Sequence, residues 1–162
     1  MELEKARLLA ADLMRRHDLG GGSPWAFAFD RSRRRFGVCI PQHRRIQLSR
    51  HLTLLNGEEQ VRDTLLHEIA HALVFLRYGP RIGHDRRWKK IAAAIGAKPA
   101  RCYDYAAVDT PPLPYLVKCE RHGILGQRAR RWSGQRSCSR CRRRFDPEHL
   151  VALIPNPAYR DA

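Results

Sequence analysis

Residues 56–80 read NGEEQVRDTLLHEIAHALVFLRYGP, and they form the most strongly marked element of the chain. Asn56 suits an N-cap, and Glu59 follows three residues later, as in a capping box. Val61, Leu65, Ile69, Ala72 and Leu73 then recur on one face of a helix, which Gly79-Pro80 must end. A further helix is expected after Asp85. Trp88, Ile91, Ala92 and Ile95 share its apolar face, and Gly96 with Pro99 closes it. Upstream, Leu3, Ala6, Leu9, Ala10, Leu13 and Met14 mark a helix over residues 2–18, stopped by Gly20-Gly21-Gly22. Between the helices lie three short stretches of strand character, residues 25–29, 36–40 and 45–48, with an Arg-rich turn at 31–35. Their spacing predicts a meander, a small three-stranded antiparallel sheet. The class is therefore α+β.

The chain has 162 residues and 43% hydrophobic content, enough for one compact domain and a small module. No run of 18 apolar residues exists, which excludes a transmembrane helix, and no membrane partner is expected. Met1-Glu2-Leu3-Glu4-Lys5 is charged and has no apolar core of a secretion signal, so a cytoplasmic location is expected, nucleoid-associated if the source is bacterial. Lys plus Arg number 31 against 16 acids, a net charge of +15. Such a balance favours a polyanion, and Arg prefers bidentate phosphate contacts, so DNA is the expected partner. The five Cys argue against a disulfide framework. Residues 109–114, Asp-Thr-Pro-Pro-Leu-Pro, read as a stiff linker. The expected layout is a domain over 1–110, a basic module over 115–153 and a flexible tail over 154–162.

His67-Glu68-Ile69-Ala70-His71 is an H-E-x-x-H motif in mid-helix. Residues i and i+4 lie on one face, so both imidazoles can reach one zinc. Glu68 then stands where the general base of a metalloprotease stands. A catalytic zinc needs a third protein ligand. The metzincin pattern would require Gly at 74 and His at 77, where the chain has Val74 and Arg77. The next glutamate after Glu68 is Glu120, beyond the linker. His84 and Asp85 remain, with His84 preferred as ligand and Asp85 as the cap of the following helix; the opposite assignment stays open.

Cys119-Glu120-Arg121-His122 and Cys138-Ser139-Arg140-Cys141 are two knuckles with structural-zinc spacing. A closed Cys3His site in so small a module is expected to supply its stability. The stretch from Lys118 to Phe145 holds ten basic residues and one acid, +9 of the total +15. Arg128, Arg130, Arg131, Trp132, Arg142, Arg143 and Arg144 are the candidate DNA-binding residues. The cations meet phosphates and Trp132 stacks a base, which suits DNA with single-stranded character. The opposing reading packs Trp132 under the ribbon and leaves the Arg side chains solvated.

Residues 63–72, Gly83-His84-Asp85-Arg86-Arg87-Trp88-Lys89 and the Cys/His knuckles together resemble the SprT-like metalloprotease family, of which Spartan is the eukaryotic type. The resemblance runs over roughly residues 3–150. It implies a zincin-type helical core with the small sheet, followed by a C-terminal zinc ribbon. It implies a zinc metalloendopeptidase, DNA-stimulated, that cuts DNA-bound or DNA-crosslinked proteins, a role in crosslink repair. By position, His67, His71 and His84 would hold a catalytic zinc, Glu68 would be the base, and Cys119, His122, Cys138 and Cys141 would hold a structural zinc. Family ribbons often carry four Cys; here His122 replaces one. The competing reading is a non-proteolytic zinc-ribbon DNA-binding protein with a vestigial metal site. Neither reading gives Cys39 or Cys102 a role.

Overall fold

The computed structural model describes residues 1–20, 24–80, 83–99 and 108–160. The chain divides into two compact units, Met1–Thr110 and Pro111–Ala162. The first holds α1 (Leu3–Arg16), β1 (Ala26–Asp30), β2 (Gly37–Ile40), β3 (Arg45–Ser49), α2 (Arg50–Leu55), α3 (Glu58–Tyr78) and α4 (Arg86–Ala94). Among the described residues no helix is long and apolar enough to cross a membrane. Cys102, Gly21 and Gly22 lie outside the described residues.

Helix α3 is the pillar of this unit. Its first turn carries Glu58 and Glu59 and its last turn Arg77, charges that complement the helix dipole. Val61, Thr64 to Leu66, Glu68 to Ala72 and Val74 are all buried. Burial at five consecutive positions covers the whole circumference, so neighbours must pack on every side of the middle turns. Helix α1 supplies Ala6, Ala10, Leu13 and Met14, α4 supplies Trp88, Ile91 and Ala92, and the sheet supplies Ile46 and Leu48. The α3 C-terminus falls where expected, with Gly79 at φ +81°.

The sheet departs from the expected meander. Its order is β1-β3-β2, with β2 antiparallel to β3 but β1 parallel to it, so it is mixed rather than antiparallel. The reason is burial: Ile46 and Leu48 of β3 are fully buried, and the central place satisfies the backbone of this most buried strand on both edges. The β2–β3 connection is a short 3-10 turn, Pro41–His43, closed by Arg44 in the left-handed region. The Arg-rich turn before β2 therefore closes no hairpin.

Two ends differ from expectation as well. Helix α1 stops at Arg16, with Asp18 in the left-handed region, before any glycine is reached. Asn56 is not the N-cap of α3; Gly57 is, without a side-chain bond. Asn56 instead ends α2, a six-residue helix that begins on the Ser49 cap. Its buried side-chain amide donates to the Leu52 carbonyl at 2.8 Å and to the Asp109 carbonyl at 2.8 Å. Its side-chain oxygen accepts from the Asp109 N–H at 2.9 Å. One amide thus ties the end of the unit to the α2–α3 junction.

The second unit is a three-stranded antiparallel sheet of order β5-β4-β6, with β4 (Tyr115–Cys119), β5 (Gly123–Arg128) and β6 (Val151–Pro155). Strand β6 pairs through Pro155 with Tyr115, and Asn156 is buried, donating to the Leu113 carbonyl at 2.8 Å. The segment expected to be a loose tail from residue 154 is therefore part of the sheet to Pro155 and is anchored beyond it by Asn156. Among the described residues of this unit, the buried apolar side chains are those of Pro111, Cys119 and Cys138.

Replacing Asn56 by Ala removes the side-chain bonds to both backbone groups of Asp109, while the Leu52 carbonyl keeps the Asn56 N–H at 3.1 Å. Asn56→Ala is expected to cost roughly 1–3 kcal/mol. Urea unfolding of the two proteins side by side measures it, and equal midpoints would show that the Asp109 tie carries no load.

Candidate metal centres

Helix α3 places His67 and His71 one turn apart, and the segment after it returns His84 to them. The Nε2 atom of His84 lies 3.0 Å from that of His67 and 3.2 Å from that of His71. Tetrahedral zinc with nitrogen ligands requires edges of roughly 3.3 Å between donors. The donor set, three neutral imidazoles, also suits that metal. Burial, and then the charge of His84, push His67 down to about 4, which keeps its ring neutral and its lone pair available.

Asp85 takes no part in this group. Its carboxylate caps α4, accepting from the Arg87 N–H at 2.9 Å and the Trp88 N–H at 3.1 Å. The cap fixes the first turn of α4 and with it Trp88, which is fully buried. The Trp88 ring lies 4.6 Å from the rings of His67 and His84 and 5.3 Å from that of His71. It forms a rigid apolar wall against all three imidazoles.

Glu68, adjacent to the first histidine, is only 8% exposed. Burial pushes its carboxyl up to about 7, against the opposing pull of a hydrogen bond from the Cys39 backbone N–H and of the Arg35 charge. Both opposing groups belong to β2 and the turn before it. Gly37 of the same strand comes closer still. A Cβ there would lie 2.8 Å from Thr64 Cγ2, 2.9 Å from Glu68 Cγ and 3.0 Å from Glu68 Oε1. The strand backbone and the α3 side chains are thus in contact with no room for a methyl group. Gly37, the Cys39 N–H and Arg35 were not among the expected site residues. A glycine inside a strand pattern, between Phe36 and Val38, is the signal that marks such an approach. Cys39 itself is buried, and burial pushes its thiol up, so it remains a protonated packing residue.

The second group lies in the ribbon. Cys119 Sγ is 3.8 Å from Cys141 Sγ, and His122 Nδ1 is 3.6, 3.7 and 3.4 Å from the sulfurs of Cys119, Cys138 and Cys141. Tetrahedral zinc would set roughly 3.8 Å between sulfurs and roughly 3.6 Å between sulfur and nitrogen. Gly123, at φ +65°, makes the turn out of the first knuckle, and the Cys141 N–H donates to the Cys138 carbonyl at 3.1 Å in the second. All four donor positions are filled by protein, which is the pattern of a structural site.

A third acid–histidine cluster, Asp146, Glu148 and His149, is already satisfied internally. Asp146 accepts from His149 Nδ1 at 3.0 Å and the Glu148 N–H at 3.0 Å, and pairs with Arg142 at 3.2 Å. Of the expected DNA-binding residues, Arg142 is therefore ion-paired. Arg128 lies over the Trp132 ring at 5.3 Å, joined there by Arg136 at 5.5 Å, and Arg131 lies over Tyr115 at 5.4 Å. Arg130, Arg143 and Arg144 are exposed. Trp132 is half-buried and packed with two guanidinium groups, so it sits among cations as expected, while part of its surface is engaged within the unit.

The model of the SprT-like family matches residues 13–109 of this chain. Protein SprT of Actinobacillus succinogenes is 27% identical over 121 residues, covering 71% of each chain. Protein SprT of Glaesserella parasuis is 30% identical over 92 residues, 55% of this chain and 59% of that one. Protein SprT of Klebsiella pneumoniae is 29% identical over 108 residues, 65% of each.

A methyl group at position 37 has to move Thr64 or Glu68. Gly37→Ala is expected to destabilise the protein by about 1–3 kcal/mol through overpacking. It leaves the three histidines untouched, so bound metal should be retained. Thermal unfolding with metal analysis checks both; unchanged stability would show that the contact relaxes without cost.

Proposed function

The chain belongs to the SprT-like family, and on that premise we propose that it is a zinc-dependent metalloprotease, stimulated by DNA, that cleaves proteins bound or crosslinked to DNA. The observation that carries the reading is the convergence of His67, His71 and His84 Nε2 atoms beside a buried carboxylate on the same helix. A purely structural metal site has no use for that carboxylate.

Zinc held by the three histidines would supply Lewis acidity towards the scissile carbonyl. Glu68 takes a proton from the attacking water and passes it to the leaving amine. Burial raises the Glu68 carboxyl above the ordinary carboxylate range, and a zinc on the histidines would draw it back towards the ionised form that accepts the proton. The Cys39 N–H and the Gly37 backbone keep its oxygens aimed. Trp88 prevents the imidazoles from turning away.

The ribbon supports the DNA part of the reading. Its +9 over Lys118–Phe145, with Arg128, Arg130, Arg131, Arg143 and Arg144 at its surface, matches a phosphate backbone. Arg142 contributes charge while paired to Asp146. DNA with single-stranded character suits Trp132 and its flanking cations. Substrate choice would then follow from being held on DNA.

The reading calls for two zinc ions per chain. Metal analysis should find about two; His84→Ala should lose one, and Cys138→Ser the other together with the ribbon fold. One zinc in the wild type would leave one of the two groups without its metal. The decisive assay is cleavage of a DNA-bound protein, with and without DNA. Glu68→Gln should lose at least about 10²-fold in rate while keeping its zinc. Undiminished cleavage by that variant would remove the activity from this site.

A further inference from the structure

The ribbon is not the only basic surface. Residues 31–35 form the turn between β1 and β2, and they contain Arg31, Arg33, Arg34 and Arg35. The turn is held by a dense set of hydrogen bonds. Asp30 Oδ1 accepts from the Ser32 N–H at 2.8 Å, and Ser32 Oγ accepts from the Arg35 N–H at 2.9 Å. Ser49 Oγ donates to the Ser32 carbonyl at 2.5 Å, and the Ser49 N–H donates to the Phe36 carbonyl at 2.7 Å. These bonds dock the turn against the β3–α2 junction, where Arg50 and His51 follow Ser49. Three observations put Arg31, Arg33 and Arg50 in one place. The register pairs Asp30 with Ser49, which sets their successors Arg31 and Arg50 at the same end of the sheet. The Ser49–Ser32 bond fixes the turn there. The His51 ring is held below its usual range by burial and then by Arg33, Arg50 and Arg31, with Asp30 opposing.

The nearby acid is already used: Asp30 pairs with Arg35 at 2.6 Å. Among the described residues no carboxylate pairs with Arg31 or Arg50. Arg31 and Arg50, set at one end of the sheet with no carboxylate on either, keep their attraction for an external polyanion, and the backbone that carries them is already ordered. The turn also runs directly into Gly37, the residue in contact with Glu68.

We propose that Arg31, Arg33 and Arg50 form a second nucleic-acid backbone site, on the metalloprotease unit itself and separate in sequence from the ribbon. This rests on the reading of DNA as partner. It adds that the unit bearing the histidine site has a phosphate-binding surface of its own. Arg fits the role because its planar fork meets phosphate oxygens in pairs.

The test is the salt dependence of DNA affinity in the full-length, zinc-loaded chain. Each phosphate contact contributes about 0.7 to 0.9 to the slope of log affinity against log salt. R31E/R33E/R50E should make the slope shallower by about two to three and reduce DNA stimulation, while zinc content and cleavage of a DNA-free peptide stay unchanged. R31Q/R33Q/R50Q serves if the reversed protein fails to fold, and should give the same direction. R130E/R131E/R143E in the ribbon should lower the slope independently. A turn variant with the wild-type slope, beside a ribbon variant that loses it, overturns the second site and leaves the DNA reading standing. A wild type with no salt-dependent DNA binding overturns both. Vesicles of phosphatidylcholine with phosphatidylserine are the last arm. Loss of vesicle binding with DNA binding intact would assign the turn to a membrane surface and overturn the proposal. As a local readout, DNA should move the His51 titration upward, since phosphates offset the field of Arg33, Arg50 and Arg31.

Discussion

The His84 nitrogen, 3.0 Å from that of His67 and 3.2 Å from that of His71, cannot share this space with their lone pairs unless a cation or shared protons lie between them. The first unit is organised around holding that juxtaposition in place. Burial on all sides of α3 fixes two of the rings on a helix that has no freedom to roll. The Asp85 cap starts α4 at the point where the chain has just delivered the third ring, and Trp88 closes the space behind all three. Glu68 lies in the same buried layer, where a carboxylate is costly unless it is bonded, and the edge of the sheet supplies that bond.

Local signals carried much of this and failed where the decisive partner was distant in sequence. The apolar period of α3, its Gly79-Pro80 stop, the Asp85 cap and the pairs His67/His71, Cys119/His122 and Cys138/Cys141 are short-range, and the structure has them where the residues indicate. Strand pairing is a different matter. Residues 25–29 and 36–40 pattern alike, and only the burial of Ile46 and Leu48 decides that β3 lies between them. Asn56 illustrates how a residue type can suit two places. Its amide fits an N-cap, but a polar group buried there finds better partners in Leu52 and in Asp109, more than fifty residues away. Helix α2 was hidden because six residues are too few to show a period. The closeness of Gly37 to Glu68 is tertiary packing, which a glycine can only hint at.

The two units solve the problem of stability differently. The first has a contiguous apolar core that includes Trp25, Phe36 and Trp88. The second buries two cysteines and little other apolar surface, so its hydrophobic term is small and its sheet depends on the ligand cluster, the Asn156 amide and the satisfied Asp146. With the proposed zinc bound, such a module could carry a dense positive charge, because coordination would offset the self-repulsion that a small core could not.

The mixed sheet has a kinetic side. Strands β2 and β3 are neighbours in sequence, joined by a three-residue turn, and their antiparallel pairing closes a small loop. Strand β1 pairs parallel with β3, so that pairing closes a longer loop, which contains the whole of β2. The elements that touch Glu68 and the histidines, from Gly37 through Trp88, form one unbroken run of chain. Contacts within that run close shorter loops than those that bring the first helix against α3, so the site itself is the low-contact-order part of the unit.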